Sequence, residues 1–287
     1  MTLTPLDRQQ RRRALGRSAT RVAEIRPLVA EVEERLFERL EHFALQPGRL
    51  LELSGPGGPC PALAGRFPDA VRIRCGPSPM LLRRGAPRGA PADPVLCADP
   101  ERLPLATRSV DVVFSPAAVP LSDDEPGLFA EIRRVLRPGG WFLFASLGPD
   151  TLRELRDAWA AADERLRVYR FADMHDVGDA LVRAGFRDPV MDVERLRLEY
   201  GAPADLLREL RSLGVTSVAR DRPRGLTGRR RFETMLAALR PADAENCLRV
   251  SCELVFGAAR APGEGQPVRT PEGEVATFSV ESLKRRR

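Results

Sequence analysis

The chain has 287 residues, 43% of them hydrophobic and 30% charged, which is enough to bury one large α/β core or one domain carrying an inserted lid, and excludes a disordered or fibrous chain. Its net charge of +6 is almost wholly arginine, Lys284 being the only lysine, and the arginines interleave with Asp and Glu on helical faces such as 131–137; this is the pattern of salt-bridged helix surfaces, so no nucleic-acid partner is expected. No apolar run is long enough to cross a bilayer, and the arginine-rich start at 8–13 is not a signal-peptide core, so a cytoplasmic protein with no membrane partner is expected.

The first element expected is a helix over residues 20–45, whose apolar positions Val22, Ile25, Val29, Val32, Leu36, Leu40 and Phe43 recur near a 3.6 period, with Pro27 kinking it or marking a later start. Leu50-Leu51-Glu52-Leu53 then reads as a strand, Ser54-Gly55-Pro56-Gly57-Gly58 as a glycine-rich turn, and Pro59 onward to Phe67 as a helix with proline in its first turn. Residues 70–75 alternate as a second strand, and Gly76-Pro77-Ser78-Pro79 breaks it before a short helix at Met80-Leu81-Leu82. Residues 85–94, rich in Gly, Pro and Ala, form a loop without periodicity.

Val95-Leu96-Cys97-Ala98 is a short third strand ending in Asp99. Residues 110–115 are an apolar run suited to a strand buried on both faces, 128–136 a helix stopped by Arg137-Pro138-Gly139-Gly140, and 141–147 a fifth strand. Strands alternating with helices at this spacing predict a parallel, doubly wound sheet. In such a sheet the glycine-rich strand-to-helix junction is where a nucleotide-like ligand lies, because glycines admit close backbone approach and N–H groups face the ligand. The spacing is not Gly-x-Gly-x-x-Gly, which excludes a dinucleotide fingerprint. The five cysteines have neither CxxC nor disulfide spacing, and with His42 and His175 as the only histidines no metal site is expected.

Leu103-Pro104-Leu105, the run Ser109-Val-Asp-Val-Val-Phe-Ser115 and Glu131-Ile-Arg-Arg-Val-Leu-Arg-Pro-Gly-Gly140 resemble the later motifs of class I S-adenosylmethionine-dependent methyltransferases. In the second half, Thr151-Leu-Arg-Glu-Leu155, Arg170-Phe-Ala-Asp-Met-His-Asp176, Ala184-Gly-Phe186, Ser212-Leu-Gly214 and Arg222-Pro-Arg-Gly-Leu-Thr-Gly228 resemble the malonyl-acyl-carrier-protein O-methyltransferases of biotin synthesis. The resemblance spans about 12–259 and is most specific over 147–232.

The resemblance implies a Rossmann-like class I methyltransferase fold: a seven-stranded, mostly parallel sheet whose last strand is antiparallel, the final two strands at 190–200 and 247–256. It further implies an N-terminal helical segment at 1–46, a methyltransferase domain at 47–260 with a helical lid insertion at 203–241, and leaves a polar tail at 261–287 expected to lack order. The activity implied is methylation of the free malonyl carboxylate of malonyl-acyl carrier protein or malonyl-CoA. That carboxylate is already ionised near neutral pH, so the reaction needs positioning and exclusion of water but no general base.

Arginine is the natural carboxylate ligand, which makes Arg170, in the family's Arg-Phe element, the first candidate and Arg153 the second. His175 reads as a helix-start residue and not as an acid or base.

For S-adenosylmethionine the resemblance implies Glu52, Ser54, Gly55, Gly57, Gly58, Cys75, Asp99 and Ser115. Several of these depart from the family: Ser54 and Pro56 stand at glycine places, and Cys75, a poor acceptor, stands where an acid takes the ribose hydroxyls. Val22 stands for an aromatic residue, and Pro116 and a residue near Leu121 for Asn and Trp. The departures leave open a catalytically inactive or repurposed relative, acting as a binding, regulatory or assembly protein or as an arginine hydroxylase.

Overall fold

A computed structural model of the chain describes residues 7–83, 93–122, 124–163, 167–215, 225–239, 247–266, 268–270 and 273–275. The sheet has seven strands: β1 (Arg49–Leu53), β2 (Val71–Gly76), β3 (Val95–Cys97), β4 (Val110–Ser115), β5 (Leu136–Leu147), β6 (Arg187–Tyr200) and β7 (Leu248–Arg260). Their order across the sheet is β3-β2-β1-β4-β5-β7-β6. The first five run parallel, and β7 is antiparallel to both β5 and β6. Because β1 is flanked by β2 on one side and β4 on the other, the chain reverses its direction of travel there, and a crevice opens beyond the carboxyl ends of those strands.

The two faces of the sheet bury separate clusters, as the twofold alternation of strand side chains requires. Leu51, Leu53, Val113, Phe142 and Phe144 pack against helix α5 (Glu125–Val135) through Leu128, Phe129 and Ile132, and against α7 (Met174–Arg183) through Val177 and Leu181. On the opposite face Leu50, Val112, Phe114 and Leu143 meet Leu36 and Leu40 of α2 (Val22–Leu40) and Leu63 of α3 (Ala62–Arg66). Glu52 shares the face of Leu50, so its carboxyl is turned toward α2 and α3 and not into solvent.

Helices α6 (Arg153–Ala160), α8 (Pro203–Ser212) and α9 (Arg229–Ala238) bury Leu155, Leu206 and Met235 with Leu248 and Val250 in a third cluster. Helix α8 is also tied to the N-terminal segment, where Ser212 Oγ lies 2.8 Å from a Glu24 carboxylate oxygen and donates to it.

Four elements differ from the sequence expectation. The first helix is divided into α1 (Arg8–Ser18), a 3-10 turn at Ala19–Arg21 and α2, and Pro27 lies inside α2, where it removes one intrahelical bond without ending the helix. The helix after the glycine loop begins at Ala62 and not Pro59, because the Cys60 N–H is spent on the Glu52 carboxylate and Pro61 becomes the residue before the helix.

Strand β5 begins at Leu136 and runs through the Pro-Gly-Gly segment expected to break the chain. Gly139 takes φ +77, the Cβ of any other residue at 140 would stand 2.8 Å from the Asp111 carbonyl, and the register against β4 shifts at this point. In the tail expected to lack order, β8 (Val268–Thr270) pairs antiparallel with β9 (Gly273–Val275). The loop expected at 85–94 falls largely outside the described residues, as does the first part, 222–224, of the motif at 222–228.

The expectation of salt-bridged helix surfaces is met at Arg35 with Glu31, Arg39 with Asp192 and Glu194, and Arg134 with Glu131. The described residues hold no helix long and apolar enough to cross a membrane and no cluster of metal-ligand side chains. All five cysteines are free thiols.

Candidate active site

At the end of β1 the Glu52 side chain is fully buried. Its Oε1 accepts from the Cys60 N–H, while Oε2 has no partner. Burial pushes this carboxyl from 4.5 up to about 7; the Cys60 N–H and the arginines of β2, Arg72 and Arg74, pull the other way, and Glu33 of α2 adds to the rise. Glu33 is itself raised by burial, although Arg26 pairs with it. Burial also pushes up the Cys60 thiol beside them.

The glycine loop that follows is pressed between two elements. A Cβ at Gly55 would stand 2.6 Å from that of Ala117, in the segment after β4, and one at Gly57 would collide with Val29 of α2. The loop closes on itself through Gly58 N–H to Gly55 carbonyl at 3.1 Å, with Gly58 at φ +75, a conformation that favours glycine. The three glycines therefore serve close approach and a tight turn.

Parallel pairing sets Leu53 beside Cys75 and carries Ser54 alongside Gly76, where the Ser54 N–H donates to the Cys75 carbonyl at 2.7 Å. Cys75 is buried, and burial raises its thiol to about 12, so it stays protonated and is a weak acceptor. Ser115, at the end of β4, is buried with its hydroxyl unpartnered, as are the Ser54 and Ser78 hydroxyls. Unpartnered buried polar atoms normally cost stability. Their concentration at the carboxyl ends of β1, β2 and β4 marks an edge built for a polar ligand.

A cleft partly open to solvent lies at this edge. Ser54, Pro77, Pro100 and Glu101 line one side, and Arg11, Leu15, Ala118 and Leu121 line the other. Helix α1 forms its roof. Leu15 and Ala19 pack on Leu81 of α4 (Pro79–Arg83), with Val22 and Leu121 at the margin of the same cluster. Arg11, 4% exposed, donates to the Leu121 carbonyl and lies 3.7 Å from Asp99 and 3.9 Å from Glu101. Arg8 pairs with the same two acids. Asp99, next to the lining residue Pro100, is thus engaged by two arginines that sequence reasoning had not singled out. Their only signal was i, i+3 spacing at the start of a charged helix.

The candidate substrate residues lie beyond β5. Arg153 is exposed and faces Asp150 at 3.8 Å. Arg170 is exposed and close enough to Arg156 that, after burial, its charge is the chief influence lowering the Arg156 pKa. Arg156 itself is fixed by the Pro149 and Thr151 carbonyls at 3.1 and 2.9 Å. The cationic feature here is therefore Arg170 with Arg156, and the sequence reading missed Arg156. His175 is the second residue of α7, its ring 2.7 Å from the capping Asp173 and open to solvent, in keeping with a helix-start role.

Residues 51–144 match the family model described as a methyltransferase domain. Among curated proteins, a malonyl-acyl-carrier-protein O-methyltransferase of Halorhodospira halophila is 38% identical, over 98% of this chain and 97% of its own length. One of Gallionella capsiferriformans is 38% identical over 90% of this chain and 92% of its own.

Among solved structures, the YcgJ protein of Bacillus subtilis superposes with a TM-score of 0.55 at 12% identity, covering 80% of this chain and 99% of that one. A putative methyltransferase of Bacillus halodurans does so at 0.52 and 16% identity, covering 79% and 98%. These two share the fold. The near-complete coverage at 38% identity is decisive for the family: the chain belongs to the malonyl-acyl-carrier-protein O-methyltransferases, built on the Rossmann-like class I methyltransferase fold.

Proposed function

We propose that this chain methylates the free carboxylate of a malonyl thioester, with S-adenosylmethionine as donor and malonyl-acyl carrier protein preferred to malonyl-CoA, an early step of biotin synthesis in the cytoplasm. The observation that carries the reading is the set of unpartnered buried polar atoms, Glu52 Oε2, Ser54 Oγ and Ser115 Oγ, at the carboxyl edge of the strands in a chain of this family. A ligand rich in hydroxyl and ammonium groups satisfies them.

Glu52, Ser54, Gly55, Gly57, Gly58, Asp99 and Ser115 would hold the cofactor, Cys75 contributing packing alone. When bound, S-adenosylmethionine supplies an electrophilic methyl group on a sulfonium centre. The malonyl carboxylate is ionised at neutral pH, so the protein has no proton to remove. Its work is to place the carboxylate oxygen in line and to keep water out.

Arg170 pairs with that carboxylate through its planar guanidinium, and Arg156 beside it adds positive charge. Helices α8 and α9, both within the expected lid insertion, share a buried cluster with Leu155 and Ala158 of α6, the helix that carries Arg156. No relative named above favours the inactive or repurposed reading.

The test is twofold. Purified protein should bind S-adenosylhomocysteine in calorimetry, and Arg170→Ala should lose methylation of malonyl carrier protein while keeping that affinity. Absence of heat at millimolar ligand would overturn the cofactor assignment; unchanged turnover in the variant would remove Arg170 from the site.

A further inference from the structure

The family's handhold for the ribose is an acid at the end of β2, and this chain has a buried, protonated thiol there, Cys75. A replacement must lie beside Cys75, face the cleft and have hydrogen-bonding capacity to spare. Among the described residues Ser54 meets all three conditions, and Arg11, across the cleft, meets the last two. Ser54 is 4% exposed, lines the cleft, is held alongside Gly76 by the β1–β2 register, and its Oγ has no partner. Gly76 lets the two strand ends approach closely, since a Cβ there would stand 3.2 Å from the Ser54 carbonyl oxygen.

Arg11, equally buried, lines the opposite wall. Its Nη atoms are engaged by the Leu121 carbonyl and by Asp99 and Glu101, which fixes the guanidinium plane, and its Nε–H has no partner. Pro77 and Pro100 line the same cleft and offer no backbone N–H of their own.

We propose that Ser54 and Arg11 form a hydroxyl-binding subsite that takes the ribose diol of the cofactor in place of the acid absent at Cys75. The inference rests on the cofactor reading above. An acid only accepts from a ribose hydroxyl. Here the polarity is reversed: Arg11 Nε–H donates to a ribose oxygen, and that hydroxyl donates onward to Ser54 Oγ. Helix α1 thereby becomes part of the cofactor site and not only its roof.

The test compares S-adenosylhomocysteine with its 2′,3′-dideoxy counterpart by calorimetry on the full chain. The wild type should favour the hydroxylated ligand by about tenfold or more, the value of one or two such bonds. Ser54→Ala should cut that preference to roughly a third or less of the wild-type ratio, without affecting binding of the dideoxy ligand. Arg11→Lys should do the same, because it keeps a cation near Asp99 and Glu101 but loses the Nε–H, together with the guanidinium contact to the Leu121 carbonyl. Adding Cys75→Asp to Ser54→Ala should restore the preference.

If both single variants keep the wild-type preference, Ser54 and Arg11 serve packing alone and the inference is overturned, even where overall affinity has fallen. A wild type that binds S-adenosylhomocysteine with no preference for its hydroxyls also overturns it while leaving the cofactor reading intact. A wild type that binds neither ligand overturns both.

Discussion

Glu52→Gln is the substitution whose consequence the structure specifies most fully. The carboxyl is buried, one oxygen is satisfied by the Cys60 N–H, and the other has no partner, so its pKa is raised from 4.5 to about 7. A carboxyl raised in the folded chain stays protonated while the unfolded chain has already ionised. Its contribution to stability is therefore complete below about 4.5 and is lost as pH rises through about 7.

At about 1.4 kcal/mol for each pH unit between the two values, the loss is about 3 kcal/mol. Glutamine keeps an oxygen for the Cys60 N–H and cannot ionise. The ligand-free variant should match the wild type at about pH 4 and exceed it by up to about 3 kcal/mol at about pH 8. Urea unfolding of both proteins at several pH values between these measures the difference. Two curves running parallel over the whole range would refute the reasoning, since they would mean that Glu52 is ionised in the fold from the start. The gain in stability should come with a loss of function: wild-type affinity for S-adenosylhomocysteine, whose amino group is cationic, should rise with pH through about 7, and the variant should lack that rise.

Three further outcomes follow from the packing. Gly257→Ala on β7 places a methyl group within the ring of Phe144 on β5, and with both residues buried it should lower stability by roughly 1–3 kcal/mol in urea melts. Asp124→Ala removes the side chain that caps α5 by accepting from the Gly127 N–H at 3.0 Å, and should cost about 1 kcal/mol by the same measurement. Arg156→Ala should raise the KM for malonyl carrier protein more than it lowers kcat, because Arg156 adds charge beside Arg170 and is anchored by carbonyls; a fall in kcat at constant KM would place it at the reacting atoms instead.

The order of the first five strands and their helices was legible because those strands carry apolar or alternating runs and several of the breaks are Gly or Pro clusters. The antiparallel end of the sheet came from the family resemblance, since β6, with its alternating charges, and β7 bear no mark of their direction. Pro138-Gly139-Gly140 misled, as those residues usually end an element; here a positive φ and a register shift let the strand pass through.

At the candidate site, Glu52, the glycines, Asp99 and Ser115 could be proposed from sequence because each closes a strand or lies next to its end. Arg11 and Arg156 were missed. Their roles depend on contacts between residues far apart in sequence, Arg11 with Leu121 and Asp99, Arg156 with Arg170, and among so many arginines no local pattern distinguishes them.

The central claim is that this sheet edge delivers a methyl group to a malonyl carboxylate. Its most direct test is incubation of the purified chain with malonyl-acyl carrier protein and S-adenosylmethionine carrying an isotopic methyl label, followed by mass spectrometry of the carrier. Transfer of one labelled methyl group, released by mild ester hydrolysis, is the predicted result; an unlabelled carrier, with an authentic family member active in the same mixture, would contradict it.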